Sequence, residues 1–381
     1  MALIFRNIEI PLFLEIEPDI LLKFPVVIRK NNLYYRKPLI VSGSNTWQVA
    51  GETVVRGFRQ LGMKTENIIV KSNTIEQVNR VREKIRASET DVIIGVGGGR
   101  VIDVGKFAAS LERVNFFSVP TAPSHDGIAS PIAVIKEGDK LVRYGARMPV
   151  GVIIDLTIIS RAPKETIYAG FGDLISNLTA VQDWEIACKM GKERFDSFAA
   201  SIAETQAQAI MSNIGYSPLR QIGFLKKLVT GLVMSGIAMA IAGSSRPSSG
   251  AEHIISHALD RLLPKPLPHG IQVGIATIFT CALQGGPWWD LKQICQRIGF
   301  PVSPNEVNIP KSTFLEAVAV APKLRQDRFT ILNKIRKERY LEIYDKVYSE
   351  KEVEKEIKPE RHFKESCVST SQPNALVIPV T

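Results

Sequence analysis

The chain has 381 residues, of which 45% are hydrophobic and 23% charged. This balance excludes a mostly disordered polypeptide and suits about two domains, and a mean hydropathy of +0.05 argues against a multispan membrane protein. Lysine plus arginine is 48 against 38 acids, a net charge of +10, which fits an anionic ligand, a nucleic acid or a membrane surface without choosing among them.

The first twenty residues carry acids inside an apolar stretch and have no small-residue cleavage site, so they do not read as a signal peptide. KPLIVSG (37–43) is expected to be a strand, followed by the helical spacing of TWQVAGETVVRGFRQLG. ENIIV gives a second strand, and a polar helix is expected from Thr74 to Ser88. DVIIGV (91–96) is a third strand, opening through three glycines into the helix VIDVGKFAASLE, and NFFSVP (115–120) is a fourth. Strand–helix alternation of this kind predicts a parallel sheet covered on both faces. PIAVI, KEGDK and LVRYG then read as a hairpin, and GVIIDL as a further strand.

Strand signals stop near residue 160, where helical spacing takes over. The expected fold class is therefore an α/β domain over 1–160 followed by an all-α domain over 161–381. Within the second part, LVTGLVMSGIAMAIAG (228–243) is short of a bilayer span and rich in small residues, which predicts a fully buried core helix. LPKPLP (263–268) is a stiff link between two helices. Residues 323–364 mix both charge signs and read as a solvated helix, and the end from about 365 as a loosely ordered tail. Cys188, Cys281, Cys295 and Cys367 lie far apart without a CxxC pair, as expected of reduced thiols in a cytoplasmic protein.

Three adjacent glycines, Gly97, Gly98 and Gly99, follow a buried strand and open a helix. Backbone N–H groups there can approach a diphosphate, and the helix dipole favours the anion; a plain tight turn is the alternative. The pattern is not GxGxxG and does not follow the first strand, so it is not the ordinary dinucleotide fingerprint. At the end of the second strand stand Lys71, Ser72 and Asn73 in place of an acid. That predicts tolerance of a 2′-phosphate, hence NADP as well as NAD.

The chain has only 5 histidines, and His253, His257 and His269 fall close together. His253 and His257 are four apart on one helix face, and His269 starts the helix beyond the proline link. The cluster points to metal binding or catalysis. It is not the zinc-peptidase HExxH, because no acid lies between the two histidines. A catalytic zinc takes three protein ligands and an open position. Asp173, in GFGDLISN, is the best carboxylate to join two histidines, with a helix cap as its alternative role. SVPTAPSHDGIASP follows the fourth strand, at the carboxyl edge where such sheets bind ligands. There Thr121, Ser124 and Ser130 can donate to a cofactor and Asp126 can accept from a substrate hydroxyl, or the stretch is a surface loop.

Taken together, GVGGGRVIDVGK, VPTAPSHDGIASP, GFGDLISN, SGAEHIISHALD and HGIQVG resemble the archaeal sn-glycerol-1-phosphate dehydrogenases. These belong with glycerol dehydrogenase, the iron-containing alcohol dehydrogenases and dehydroquinate synthase. The resemblance runs over roughly residues 35–335 and implies a dehydroquinate synthase-like fold with the active site in the cleft between the two domains. It implies Asp173, His253 and His269 as metal ligands, with one zinc per subunit. It implies Asp126, Asp173 and His257 at the substrate, with His257 taken to have the larger part in proton delivery. Cofactor contacts are implied for Gly97, Gly98, Gly99, Arg100, Val101, Ile102, Asp103, Thr121, Ala122, Pro123, Ser124 and Ser130. The implied reaction is reduction of dihydroxyacetone phosphate to sn-glycerol 1-phosphate by NADPH or NADH, for ether-lipid synthesis. A homodimer or larger homo-oligomer is expected, with no membrane insertion and no nucleic acid. Arg246, in GSSRPSSGAEH, is a candidate for the substrate phosphate. The competing readings are a polyol dehydrogenase acting on free glycerol, a dehydroquinate synthase, and, from another class, a basic nucleic-acid-binding protein, for which no zinc-finger or aromatic-basic motif is present.

Overall fold

The computed structural model describes residues 8–138, 140–212 and 219–349. Six strands form one all-parallel sheet: β1 (Phe13–Glu17), β2 (Pro38–Ser42), β3 (Glu66–Ile69), β4 (Val92–Gly97), β5 (Asn115–Pro120) and, after the hairpin, β8 (Gly151–Asp155). Their order is β1-β8-β5-β4-β2-β3. The alternation of side chains explains why both faces are covered. Leu39, Val41, Ile93 and Phe116 pack on one side with the helices Ile75–Ala87 and Gly99–Glu112. Ile40, Val92, Ile94 and Phe117 pack on the other with Phe24, Val54 and Phe58. Central strands buried on both faces read as continuous apolar runs, and each large side chain so buried stabilises by roughly 1.5–3 kcal/mol.

The chain turns back between β2 and β4, since β3 lies outside β2 on one side and β4 on the other. Open parallel sheets bind ligands beyond the carboxyl ends of the strands at such a reversal. The glycine run and the segment 121–130 both leave the sheet at that edge. The hairpin of β6 (Ile132–Glu137) and β7 (Lys140–Gly145) pairs antiparallel, apart from the main sheet. It is fastened by Asn73, whose Nδ2 donates to the Val134 carbonyl over 3.0 Å.

After Asp155 the described chain is helical. The helix Ile222–Ala242 is long and apolar enough to cross a membrane, yet 67% of its apolar window is buried inside the protein. Over 228–242 its residues are buried or half-buried and Gly243 is exposed, so the full burial expected over 228–243 is only partly met. The solvated helix expected over 323–364 is corrected over its described part, to residue 349; residues 350–364 lie outside the described residues. A shorter helix, Glu338–Tyr348, buries Tyr340, Ile343, Tyr344, Val347 and Tyr348 along one stripe and turns its charges outward. Tyr348 closes this contact by donating its hydroxyl to the Ile275 carbonyl over 2.8 Å. The tail from about 365, with Cys367, lies outside the described residues; Cys188, Cys281 and Cys295 are free thiols.

Candidate functional site

Asp173 sits on the helix Lys164–Ile175, His253 on Ala251–Leu262 and His269 at the first position of His269–Leu283. Two of these helices touch backbone to backbone. A Cβ on Gly172 would collide with the Gly270 carbonyl oxygen, so the glycines beside Asp173 and His269 are what allow the two ligands to meet. One ligand atom each from Asp173, His253 and His269 lies within 4.8 Å of the other two. Two imidazoles and a carboxylate with that spacing suit a divalent cation such as zinc or iron(II).

Each ligand is held from behind. Glu252, fully buried, places Oε1 3.0 Å from His253 Nδ1, which leaves Nε2 facing Asp173 Oδ1 at 3.5 Å. Ser256 Oγ lies 3.0 Å from His269 Nδ1. Asp173 Oδ2 accepts the Asp126 backbone N–H over 2.9 Å. Outer partners of this kind fix ring orientation and raise ligand basicity. Glu252 is itself held by the Gly250 N–H at 2.5 Å and the Thr179 hydroxyl at 2.9 Å.

The electrostatics follow from burial and charge. Burial alone would lower the His253 pKa, but hydrogen bonds to Asp173 and Glu252 and their charges raise it to about 9. Burial works against ionisation of Asp173 as well, and the hydrogen bond and charge of His253 outweigh it, so its pKa falls below the ordinary value. Burial and the His253 charge push His269 down to about 3. With no cation bound, the two carboxylates beside its ring nitrogens therefore favour the protonated form of His253. Asp126 is raised to about 7, by burial first and by the Asp173 charge second. Its Oδ2 accepts from the Ser235 hydroxyl over 3.1 Å.

His257 is one turn beyond His253 and stacks on His269 with ring centroids 5.6 Å apart and planes 6° from parallel. Its Nε2 meets a guanidinium nitrogen of Arg143, from β7. Burial, then the charges of Arg143 and His269, hold it neutral.

At the sheet edge, Gly97 is buried while Gly98, Gly99 and Arg100 are partly or fully open. Ala122 and Ser124 are half-buried in the adjoining loop, Pro123 is buried, and Thr121 N–H is tied to the Gly97 carbonyl at 3.0 Å. The other expected cofactor contacts face inward. Val101 and Ile102 pack in the core behind the sheet. Asp103 accepts from the Val134 N–H over 3.1 Å and lies 3.5 Å from Lys106. Ser130 Oγ donates to the Ile132 carbonyl over 3.3 Å. The sequence left two residues here without a role. Lys106, fully buried, donates to the carbonyls of Gly127 and Ser130 over 2.8 and 3.0 Å and pins the 121–130 loop. His125 fills the space where a Gly99 Cβ would stand. The dipeptide His125–Asp126 beside the glycines is the signal that could have marked it. At the end of the second strand, Lys71 is exposed, whereas Asn73 is occupied with the hairpin.

Arg246 is 2% exposed and forms a two-pronged ion pair with Glu193, its Nε 2.5 Å from the carboxylate. Its Nη1 is buried without a hydrogen-bond partner among the described residues.

Residues 15–163 match the iron-containing alcohol dehydrogenase family. The chain is 42% identical over 294 residues, 77% of its length and 83% of the relative's, to the glycerol-1-phosphate dehydrogenase [NAD(P)+] of Methanosarcina mazei. It is 40% identical to the enzyme of the same name from Pyrococcus abyssi, over 84% of this chain and 94% of that one. Among solved structures it superposes on glycerol dehydrogenase from Schizosaccharomyces pombe with a TM-score of 0.75 over 90% of both chains, at 19% identity, a likeness of fold. With the sheet, the glycine edge and the Asp–His–His cluster all in place, the chain belongs to the glycerol-1-phosphate dehydrogenase family.

Proposed function

We propose that this chain reduces dihydroxyacetone phosphate to sn-glycerol 1-phosphate with NADPH or NADH, as the names of its relatives suggest, and so supplies the backbone of archaeal ether lipids. The observation that carries this reading is the convergence of Asp173, His253 and His269 at the carboxyl edge of the glycine-bearing sheet. On this reading residues 1–160 bind the nicotinamide cofactor and residues 161–381 the metal and substrate. The enzyme works in the cytoplasm as a homodimer or larger homo-oligomer.

A zinc ion held by the three ligands supplies Lewis acidity toward a ketone oxygen, and a reduced nicotinamide supplies hydride. The remaining work belongs to the chain. Gly98, Gly99 and Arg100 present backbone at a helix start to the cofactor diphosphate. The 121–124 loop lies beside it, continuing into the segment that Lys106 pins at Gly127 and Ser130. Asp126 and His257 flank the substrate from opposite elements. With no cation on Asp173, burial and the Asp173 charge raise the Asp126 pKa to about 7; a cation bound there would draw it down again, which leaves the larger part in proton delivery with His257. His257, kept neutral by burial and Arg143, positions and relays.

The test is NADPH oxidation with dihydroxyacetone phosphate, before and after chelation, with chiral analysis of the product. Metal-dependent turnover giving the sn-1 isomer is expected. Turnover that survives complete metal removal, or product of the opposite configuration, contradicts the reading.

A further inference from the structure

Beside His257, positive charge accumulates. Arg143 reaches in from the hairpin, and its guanidinium meets His257 Nε2. Arg325, just after the helix Lys311–Leu324, is turned by Asp327 through bonds of 3.0 and 2.9 Å. Arg328, 7% exposed, is fixed by the Ser249 carbonyl at 2.5 Å and the Ser245 hydroxyl at 2.8 Å. Arg246 stands behind, paired with Glu193. These four cations come from three separate parts of the chain and lie within reach of one another's charge. Arg325 opposes the ionisation of Arg143, and Arg246 and Arg325 oppose that of Arg328. The acids facing them are Glu193, Asp327 and Asp260, and burial raises the pKa of Asp260.

An excess of guanidinium groups in a half-buried place is unfavourable for the free chain. An arriving oxyanion relieves it, and guanidinium matches a phosphate by geometry as well as charge. The distance fits the same ligand. The His257 ring lies 6.4 Å from that of His253 and 5.6 Å from that of His269. Arg143, in contact with the His257 ring, is therefore no more than about one imidazole away from the metal ligands, within reach of a short three-carbon phosphoester.

We propose that Arg143 and Arg325 are the specificity-determining residues that take the phosphate of the substrate, with Arg328 and Arg246 as the fixed positive wall behind them. The proposal rests on the reading of the site as a ketone-phosphate reductase. It moves the phosphate contact from Arg246, buried and sealed by Glu193, to Arg143 on the hairpin and to Arg325, whose pair with Asp327 stands open to solvent, so that β7 on the α/β side completes a site otherwise built by helices.

The experiment uses zinc-loaded protein and the variants Arg143→Ala and Arg325→Ala. Inorganic phosphate is titrated by calorimetry in the presence of NADP+. In parallel, kcat/KM is measured for dihydroxyacetone phosphate and for dihydroxyacetone. In each variant the phosphate Kd should rise, and the preference for the phosphorylated ketone should fall, by about a hundredfold for Arg143, the loss of one charged hydrogen-bonding partner. The NADPH-to-NADH preference should stay fixed, which separates a substrate phosphate from the cofactor's own. Undiminished phosphate binding and ketone preference in both variants, or a loss confined to the NADPH preference, would overturn the proposal. If the wild type reduces no ketone phosphate, the functional reading fails, and the phosphate titration still decides whether these arginines form an anion site.

Discussion

The two sides of the site are made of different material. The sheet edge is built from backbone: Gly98 and Gly99 are half-open there, and the side chains just beyond, Ile102 and Asp103, are turned into the protein. The metal side is built from side chains, Asp173, His253 and His269, each braced by a further polar partner. Backbone recognition depends on what is left out, a Cβ above all. Side-chain recognition depends on what is put in and on the groups that aim it. The two sides should therefore fail differently.

The largest effect is expected on the metal side. His253→Ala should abolish stoichiometric zinc, read by elemental analysis, and lower turnover on the order of a thousandfold. NADPH binding, read by fluorescence, should change little. If cofactor binding vanishes as well, the two sides are not separable. Glu252→Gln comes next, because it keeps the volume and removes the charge behind His253. Zinc affinity should fall roughly 10–100-fold, and an unchanged affinity would show that Glu252 only fills space.

Gly99→Ala tests the other side. The added methyl meets His125, and relief of that overlap should cost about 1–3 kcal/mol, read as a weaker NADPH affinity with full zinc content. Loss of zinc without loss of cofactor affinity would invert the comparison. The effect that is smallest for a single step, about tenfold per pH unit, is in pH. His253 has its pKa raised to about 9 by hydrogen bonds to Asp173 and Glu252 against the effect of burial, so in the metal-free protein it carries a proton below that pH. Zinc must displace this proton. Apparent zinc affinity should therefore rise by about tenfold per pH unit toward pH 9 and level off above it. A flat profile between pH 7 and 9 would mean that no proton is exchanged.

The same division explains what the sequence makes legible. β2, β4, β5 and β8 are buried runs, and apolar continuity marks them locally. β1, with the sequence FLEIE, carries two glutamates on an edge strand and pairs with β8 far along the chain, so no local pattern marks it. The histidine cluster stands out because histidine is scarce here and the spacing is helical. Glu252 looks like an ordinary helical acid until the fold buries it against His253. Asp103 and Ser130 are polar residues near a ligand edge, and only the packing turns them toward Val134 and Ile132. Arg143 lies on a hairpin with an alternating, exposed pattern, and its meeting with His257 is purely tertiary. The charge-rich stretch near 340 hides a tyrosine stripe at positions 340, 344 and 348, whose helical spacing the density of charge obscures.

The central claim is that a cation joins Asp173, His253 and His269. Anomalous diffraction from crystals of zinc-loaded protein, collected on both sides of the zinc edge, measures this directly. A single strong peak is expected within bonding distance of an Asp173 oxygen and of one nitrogen each from His253 and His269. No peak there in crystals of protein that is active in solution, or a peak on other residues, would contradict it.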